Sequence, residues 1–139
     1  REAGGVNTML NYGYTILRAT TARAVVAAGL HPTLGLHHKN ENNSMRLVDD
    51  LMEPFRPLLD LKVWQLLRQG HTDITPTLKR VLVHTMFEDM HTTAGVTPVM
   101  ACIQRLATSL ALVYLNERTQ LDLPLRGLPL ALAIAPESA

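Results

Sequence analysis

The stretch Ser44-Met45-Arg46-Leu47-Val48-Asp49-Asp50-Leu51-Met52-Glu53-Pro54-Phe55-Arg56-Pro57 decides the reading of the fold. Val48, Leu51, Met52 and Phe55 recur at intervals of three and four, the period of a helix with one buried face. Arg46, Asp49, Asp50 and Glu53 fall on the other side. Asp50 and Glu53 stand three residues apart, a spacing at which like charges repel. A hard divalent ion between them is one remedy. A solvated face, with Arg46 offsetting Asp49 and Asp50, is the other.

Just upstream, "LHPTLGLHHKNENN" carries Pro, Gly and several Asn without a sustained period, and reads as a loop. It brings two adjacent histidines, His37 and His38, up to the helix. Folded back, the loop can add an imidazole to the carboxylates. Such mixed oxygen and nitrogen ligation suits Mg²⁺ or Mn²⁺, the histidine tilting the choice toward Mn²⁺.

Working outward, the rest of the chain reads as helices. Val6 to Ala28 carries Leu10, Tyr14, Leu17 and Ala24 at helical spacing and stops at Gly29. Asn43 or Ser44 caps a second helix running through Glu53, and Pro54 opens a third that reaches about Gln69 and stops at Gly70. "DITPTLKRVL" and "GVTPVMACIQ" each set Thr before Pro, making Thr75 and Thr97 the expected caps of two more helices. Leu78, Leu82, Thr85 and Met86 form one core stripe; Val99, Ile103, Leu106, Leu110 and Val113 form another. His84 and His91 read as lying on one helix, seven apart and poor joint ligands. Trp64, Met86 and Phe87 read as core, and Tyr12 and Tyr14 as packed rings with bonded hydroxyls. From Gln120 onward three prolines interrupt an apolar tail, which suits an extended segment. The expectation is an all-α single domain over residues 1–139, a bundle of about five helices with an extended proline-containing C-terminal tail.

Composition narrows the partners. A chain of 139 residues with 47% hydrophobic content can bury a sizeable core. Cys102 is the single cysteine, so an internal disulfide and paired-cysteine zinc sites are excluded. No apolar run reaches the length that spans a bilayer, and no basic region precedes an apolar one at the start. The expected setting is a reducing cytoplasm without a membrane partner. Net charge is only +1, but residues 1–70 hold eight Lys and Arg against six acids, whereas 71–139 hold five against six. The basic excess thus lies in the half that carries the acid cluster.

Residues 7–60 resemble the catalytic helical domain of the CRISPR-associated integrase, the Cas-one family, and most of all its type II members. The resemblance rests on "LNYGY" at Leu10–Tyr14, "AAGLHPTLGLHH" at Ala27–His38 and "DLMEPFRP" at Asp50–Pro57, in order and at the right spacing. "ITPTLKR" and the late "LDLP" extend it over nearly the whole chain. It implies a metal-dependent endonuclease and integrase that inserts short DNA fragments into a CRISPR array by attack of a 3′-hydroxyl on a repeat phosphodiester.

By the same resemblance, His38 and Glu53 are the catalytic metal ligands, Asp50 an assisting acid, Mn²⁺ or Mg²⁺ the cofactor, and His38 and Glu53 share one coordination sphere. Lys39, Arg46 and Arg56 are the expected DNA-phosphate contacts; for Arg56 the alternative is a helical pair with Asp60. The implied partners are the incoming spacer fragment, the array, the Cas-two protein and a second copy in a homodimer. Family members also have an N-terminal β domain and an upstream glutamate ligand with no counterpart here. The expectation is therefore the C-terminal domain alone, inactive by itself. The alternative is a non-catalytic helical assembly or DNA-binding module.

Overall fold

The computed structural model describes residues 2–31, 45–125 and 128–129. Helix α1 (Glu2–Ala27) is the central rod, in contact with every other helix. Its two buried threonines do not disturb it, because Thr20 donates to the Ile16 carbonyl at 2.9 Å and Thr21 to the Leu17 carbonyl at 2.8 Å. Gly29, at φ +82°, ends it: Gly29 N–H bonds Val26 O and Leu30 N–H bonds Val25 O, the paired bonds of a left-handed cap.

Helix α2 (Arg46–Met52), a 3₁₀ turn (Glu53–Phe55) and α3 (Arg56–Arg68) follow one another without a break. Pro54 and Pro57 each lack an N–H for the α-helical ladder, and the tighter turn absorbs this by letting Arg56 N–H bond the Glu53 carbonyl. Helix α4 (Pro76–His84) begins as its sequence predicts, Thr75 Oγ1 accepting from Leu78 N–H at 3.2 Å.

Beyond a second 3₁₀ turn (Thr85–Phe87) the structure departs from the all-α expectation. Strands β1 (Asp89–Thr92) and β2 (Gly95–Pro98) form an antiparallel hairpin in the register Asp89↔Pro98 to Thr92↔Gly95. Gly95 supplies the turn with φ +104°, and Thr92 Oγ1 donates to the Gly95 carbonyl at 2.6 Å. Thr97 is therefore a strand residue, 3.2 Å from the Thr92 hydroxyl, and not a cap; Pro98 precedes α5 (Val99–Tyr114), and Val99 N–H bonds Glu88 O at 2.8 Å to close the hairpin. His91 lies in β1, not on a helix with His84. With α2 and α3 fused through the turn, the architecture is four continuous helical rods plus a two-stranded sheet, and the bundle of about five helices is corrected accordingly.

The core gathers most of the expected stripes: Val48, Leu51, Met52 and Phe55 from the α2–α3 rod, Leu78, Leu82 and Met86 around α4, and Val99, Ile103, Leu106 and Leu110 from α5 are all buried, while Val113 at the end of the α5 stripe is only partly so. Trp64 and Phe87 are not core, being 52% and 54% exposed. Lys62 and Glu88 form a nearly buried ion pair at 2.7 Å that ties α3 to the base of the hairpin. After α5, Ser109 Oγ accepts Asp122 N–H at 2.9 Å and holds the irregular segment Leu121–Leu125 to the helix. The remainder of the expected tail lies mostly outside the described residues.

Candidate functional site

The site is built where α1 crosses the α2–α3 rod. Gly13 makes the crossing close: a Cβ there would sit 3.0 Å from Leu59 Cδ1. On one side of that contact α1 presents Asn11, Tyr14, Thr15 and Arg18, spaced so that they share one face. Together with Asp49 and Met52 of α2 they line an open cleft of about 420 Å³.

The acids of α2 are not gathered on one patch. Asp49 turns to α1, its Oδ1 3.1 Å from Arg18 Nε. Asp50 acts toward α5, where Tyr114 has its phenol pushed up by burial first and by the Asp50 charge second. Glu53, exposed on the 3₁₀ turn, takes Arg56 Nη1 at 2.8 Å. Arg18 and Arg56 thus supply much of the positive charge that the acid spacing demands.

Arg56 is the hub. Its guanidinium lies 4.8 Å above the Tyr14 ring, and the Tyr14 hydroxyl donates to Asp60 Oδ1. Hydrogen bonding to Glu53, then to Tyr14, raises the Arg56 pKa further above its already high value. Burial, then the bond to Asp60, pushes the Tyr14 phenol up. The alternative pairing of Arg56 with Asp60 is therefore replaced by a chain in which Tyr14 stands between them.

Of the residues read from the sequence, the structure places Asp50, Glu53, Arg46 and Arg56 along one helical rod, with Glu53 and Arg56 in contact. His38 and Lys39 lie outside the described residues, as do His37 and the proposed caps Asn43 and Ser44. Among the described residues, no three His, Cys, Asp or Glu side chains gather into a metal-binding group. The carboxylates of Glu53 and Asp50 are nevertheless the hard oxygen donors that Mg²⁺ and Mn²⁺ take. Sequence reasoning missed Asn11, Thr15 and Arg18 and named Asp60 only as an alternative partner of Arg56; the polar stripe at positions 11, 14, 15 and 18, opposite the buried Met9 and Leu17, was the available signal.

Comparison with known proteins places this geometry in context. The family model described as CRISPR associated protein Cas1 matches residues 3–86, from α1 through the turn after α4. The chain is similar to a CRISPR-associated endonuclease Cas1 of Neisseria meningitidis, 38% identical over 126 residues that cover 88% of this chain and 41% of the relative. It is also similar to a CRISPR-associated endonuclease Cas1 of Pyrobaculum aerophilum, 35% identical over 109 residues, covering 76% and 36%. Among solved structures it superposes on a casposase bound to its integration product with a TM-score of 0.73 at 27% identity, covering 85% of this chain and 38% of that one. The chain thus spans about two fifths of the length of these relatives.

Proposed function

Because this chain belongs to the Cas1 family, we propose that it is the catalytic helical domain of a metal-dependent DNA endonuclease and integrase, joining the 3′-hydroxyl of an incoming DNA fragment to a phosphodiester of a CRISPR array. The observation that carries this reading is the exposed Glu53, held on the turn between α2 and α3 by Arg56 beside the polar cleft of Asn11, Tyr14, Thr15 and Arg18. The casposase relative, caught with its integration product, supports the same class of reaction.

Each group has a role under this proposal. Glu53 and His38, assisted by Asp50, would hold the divalent ion. When bound, Mg²⁺ or Mn²⁺ supplies Lewis-acid stabilisation of the charge that develops on the phosphate oxygens. Arg56 grips a non-bridging phosphate oxygen with its planar fork, the arrangement in which arginine exceeds lysine. Tyr14 is a shelf for that guanidinium, and Asp60 fixes the shelf by accepting its hydroxyl. Arg18, Arg46 and Lys39 extend the phosphate track. The Cas-two protein and a second copy of the chain are the proposed assembly partners. The 139-residue stretch by itself is expected to be inactive, since the family resemblance brings a further glutamate ligand from a region beyond the one matched.

The test is strand transfer of a labelled fragment into a plasmid-borne array, in a chimera where this chain replaces the matching part of the Neisseria meningitidis relative. Glu53→Ala and His38→Ala are expected to reduce transfer to background while retaining most DNA binding. Normal transfer by either variant would return the chain to the non-catalytic reading.

A further inference from the structure

Two residues that the proposed function sends to different ligands are bonded to each other. Glu53 Oε1 accepts from Arg56 Nη1 at 2.8 Å, three residues along the α2–α3 rod. A carboxylate is one of the oxygen donors that a hard divalent ion takes, and a guanidinium fork is a phosphate grip. In the DNA-free protein each is occupied by the other.

The two side chains are not held equally. The Arg56 guanidinium lies 4.8 Å from the centre of the Tyr14 ring, whose hydroxyl donates to Asp60 Oδ1, so α1 supports the arginine head even when Glu53 lets go. Glu53 lacks a second hold. Its side chain is 59% exposed, and Arg56 is the partner it takes among the described residues. An ion pair this open to water and salt separates at small cost, so the carboxylate can turn away while the guanidinium stays on its ring. Arg18 and Asp49 form the neighbouring pair at 3.1 Å, with Asp49 four residues before Glu53.

We propose that Glu53 and Arg56 exchange partners when the site is loaded: Arg56 masks Glu53 in the DNA-free protein, Glu53 turns to the divalent ion as Arg56 turns to a phosphate oxygen, and each event promotes the other. The inference rests on the proposed function, which supplies both ligands. Its physical reason is competition for one carboxylate, since a cation already beside Glu53 repels a second one and a phosphate draws that first cation away. Binding linkage then makes the coupling reciprocal: the factor by which DNA raises the ion's affinity equals the factor by which the ion raises the DNA's. The ion is retained where a phosphate backbone is already in place.

Mn²⁺ binding to the Neisseria meningitidis chimera, followed by the paramagnetic resonance of the free ion, tests the exchange with and without a short DNA duplex. Without DNA, Arg56→Gln is expected to tighten Mn²⁺ about two- to five-fold, the range set by loss of one exposed ion pair. Arg56→Lys keeps a cation beside Glu53 and should return the affinity toward the parent value. Arg18→Gln removes the same charge from the neighbouring pair and should give a smaller gain. Duplex should raise the Mn²⁺ affinity of the parent chimera, and raise it less in Arg56→Gln. An unchanged or weaker DNA-free affinity in Arg56→Gln, an equal gain in Arg18→Gln, or a full DNA-dependent rise without Arg56 would each overturn the exchange. Glu53→Ala tells the two readings apart. If it loses Mn²⁺ while Arg56→Gln is unaltered, the exchange fails and the metal role of Glu53 stands; if it binds Mn²⁺ as the parent does, both fail.

Discussion

Tyr12 and Tyr14 stand two residues apart on α1, and a helix turns them about 200° from each other. Each carries a cation on its ring, Lys79 for Tyr12 and Arg56 for Tyr14. Their surroundings differ in sign. Around Tyr14 the arginines meet Asp49 and Glu53 while the phenol itself donates to Asp60, so the positive charge is matched and the side chains are fixed in place. Around Tyr12, Lys79 and Arg80 of α4 line an open groove with Val83, His84 and Phe87, and no acid is among these residues. A matched cluster positions groups for chemistry, where orientation decides the rate; an unmatched one attracts a polyanion and tolerates movement along it. Between them Gly13 keeps α1 against Leu59, so one short motif, Tyr12-Gly13-Tyr14, serves both surfaces and the seam that separates them.

The strongest way to break the comparison is to collapse the seam. Leu59 is fully buried beneath Gly13, and Leu59→Ala should cost about 2–5 kcal/mol as a large-to-small core change. Urea unfolding followed by circular dichroism measures it. Strand transfer in the chimera should fall with it. Unaltered transfer would show that the site does not need Leu59 as its support.

A smaller change separates the faces. The Lys62–Glu88 pair is nearly buried; Glu88 follows Phe87 in sequence, and Lys62 stands on α3, beyond the turn that carries Glu53. Lys62→Ala leaves Glu88 without its partner in a poorly solvated place, for which about 2–3 kcal/mol is expected. Strand transfer in the chimera should fall less than it does for Leu59→Ala; an equal fall would show that the pair supports the cleft lined by Tyr14 and Arg18.

The smallest effect sharpens the Tyr14 side. Tyr14→Phe removes one hydrogen bond to an exposed acid and should cost about 0.5–1 kcal/mol at neutral pH. Burial and Asp60 raise the folded phenol's pKa, so its contribution is complete below the unfolded value of about 10 and is lost as pH rises through the raised one. In alkaline unfolding series, Tyr14→Phe should show a shallower loss of stability above about pH 10 than the parent chain. Equal slopes would mean that the phenol is not held neutral by these neighbours.

What was legible in the chain follows from how local each signal is. Thr75 was readable as a cap because its oxygen reaches an N–H three residues away. Thr97 carries the same Thr-Pro sign yet sits in a strand, since cross-strand pairing to Met90 and the left-handed Gly95 settle its conformation. Four-residue strands offer too few alternations to outvote a helix-start motif. Apolar type alone placed Trp64 and Phe87 in the core; their exposure depends on which face of α3 and of the second turn other helices cover. In the candidate site, Glu53 and Arg56 are neighbours along the chain and could be read together. Arg18 with Asp49, and Tyr14 with Asp60, meet only because α1 crosses the rod, and no local pattern announces a crossing.

The exposed Trp64 has an optical consequence. It is the chain's one tryptophan, 52% exposed, with the Arg68 guanidinium 4.9 Å from its ring centre. An indole already in contact with water emits near its solvated wavelength, so unfolding should change the emission intensity, as Arg68 departs, more than its colour. Neither the cleft lined by Tyr14 and Arg18 nor the groove lined by Tyr12 and Phe87 includes this ring. A ligand that shifts tryptophan emission therefore reports a contact on the outer face of α3, a third surface whose light is independent of the other two.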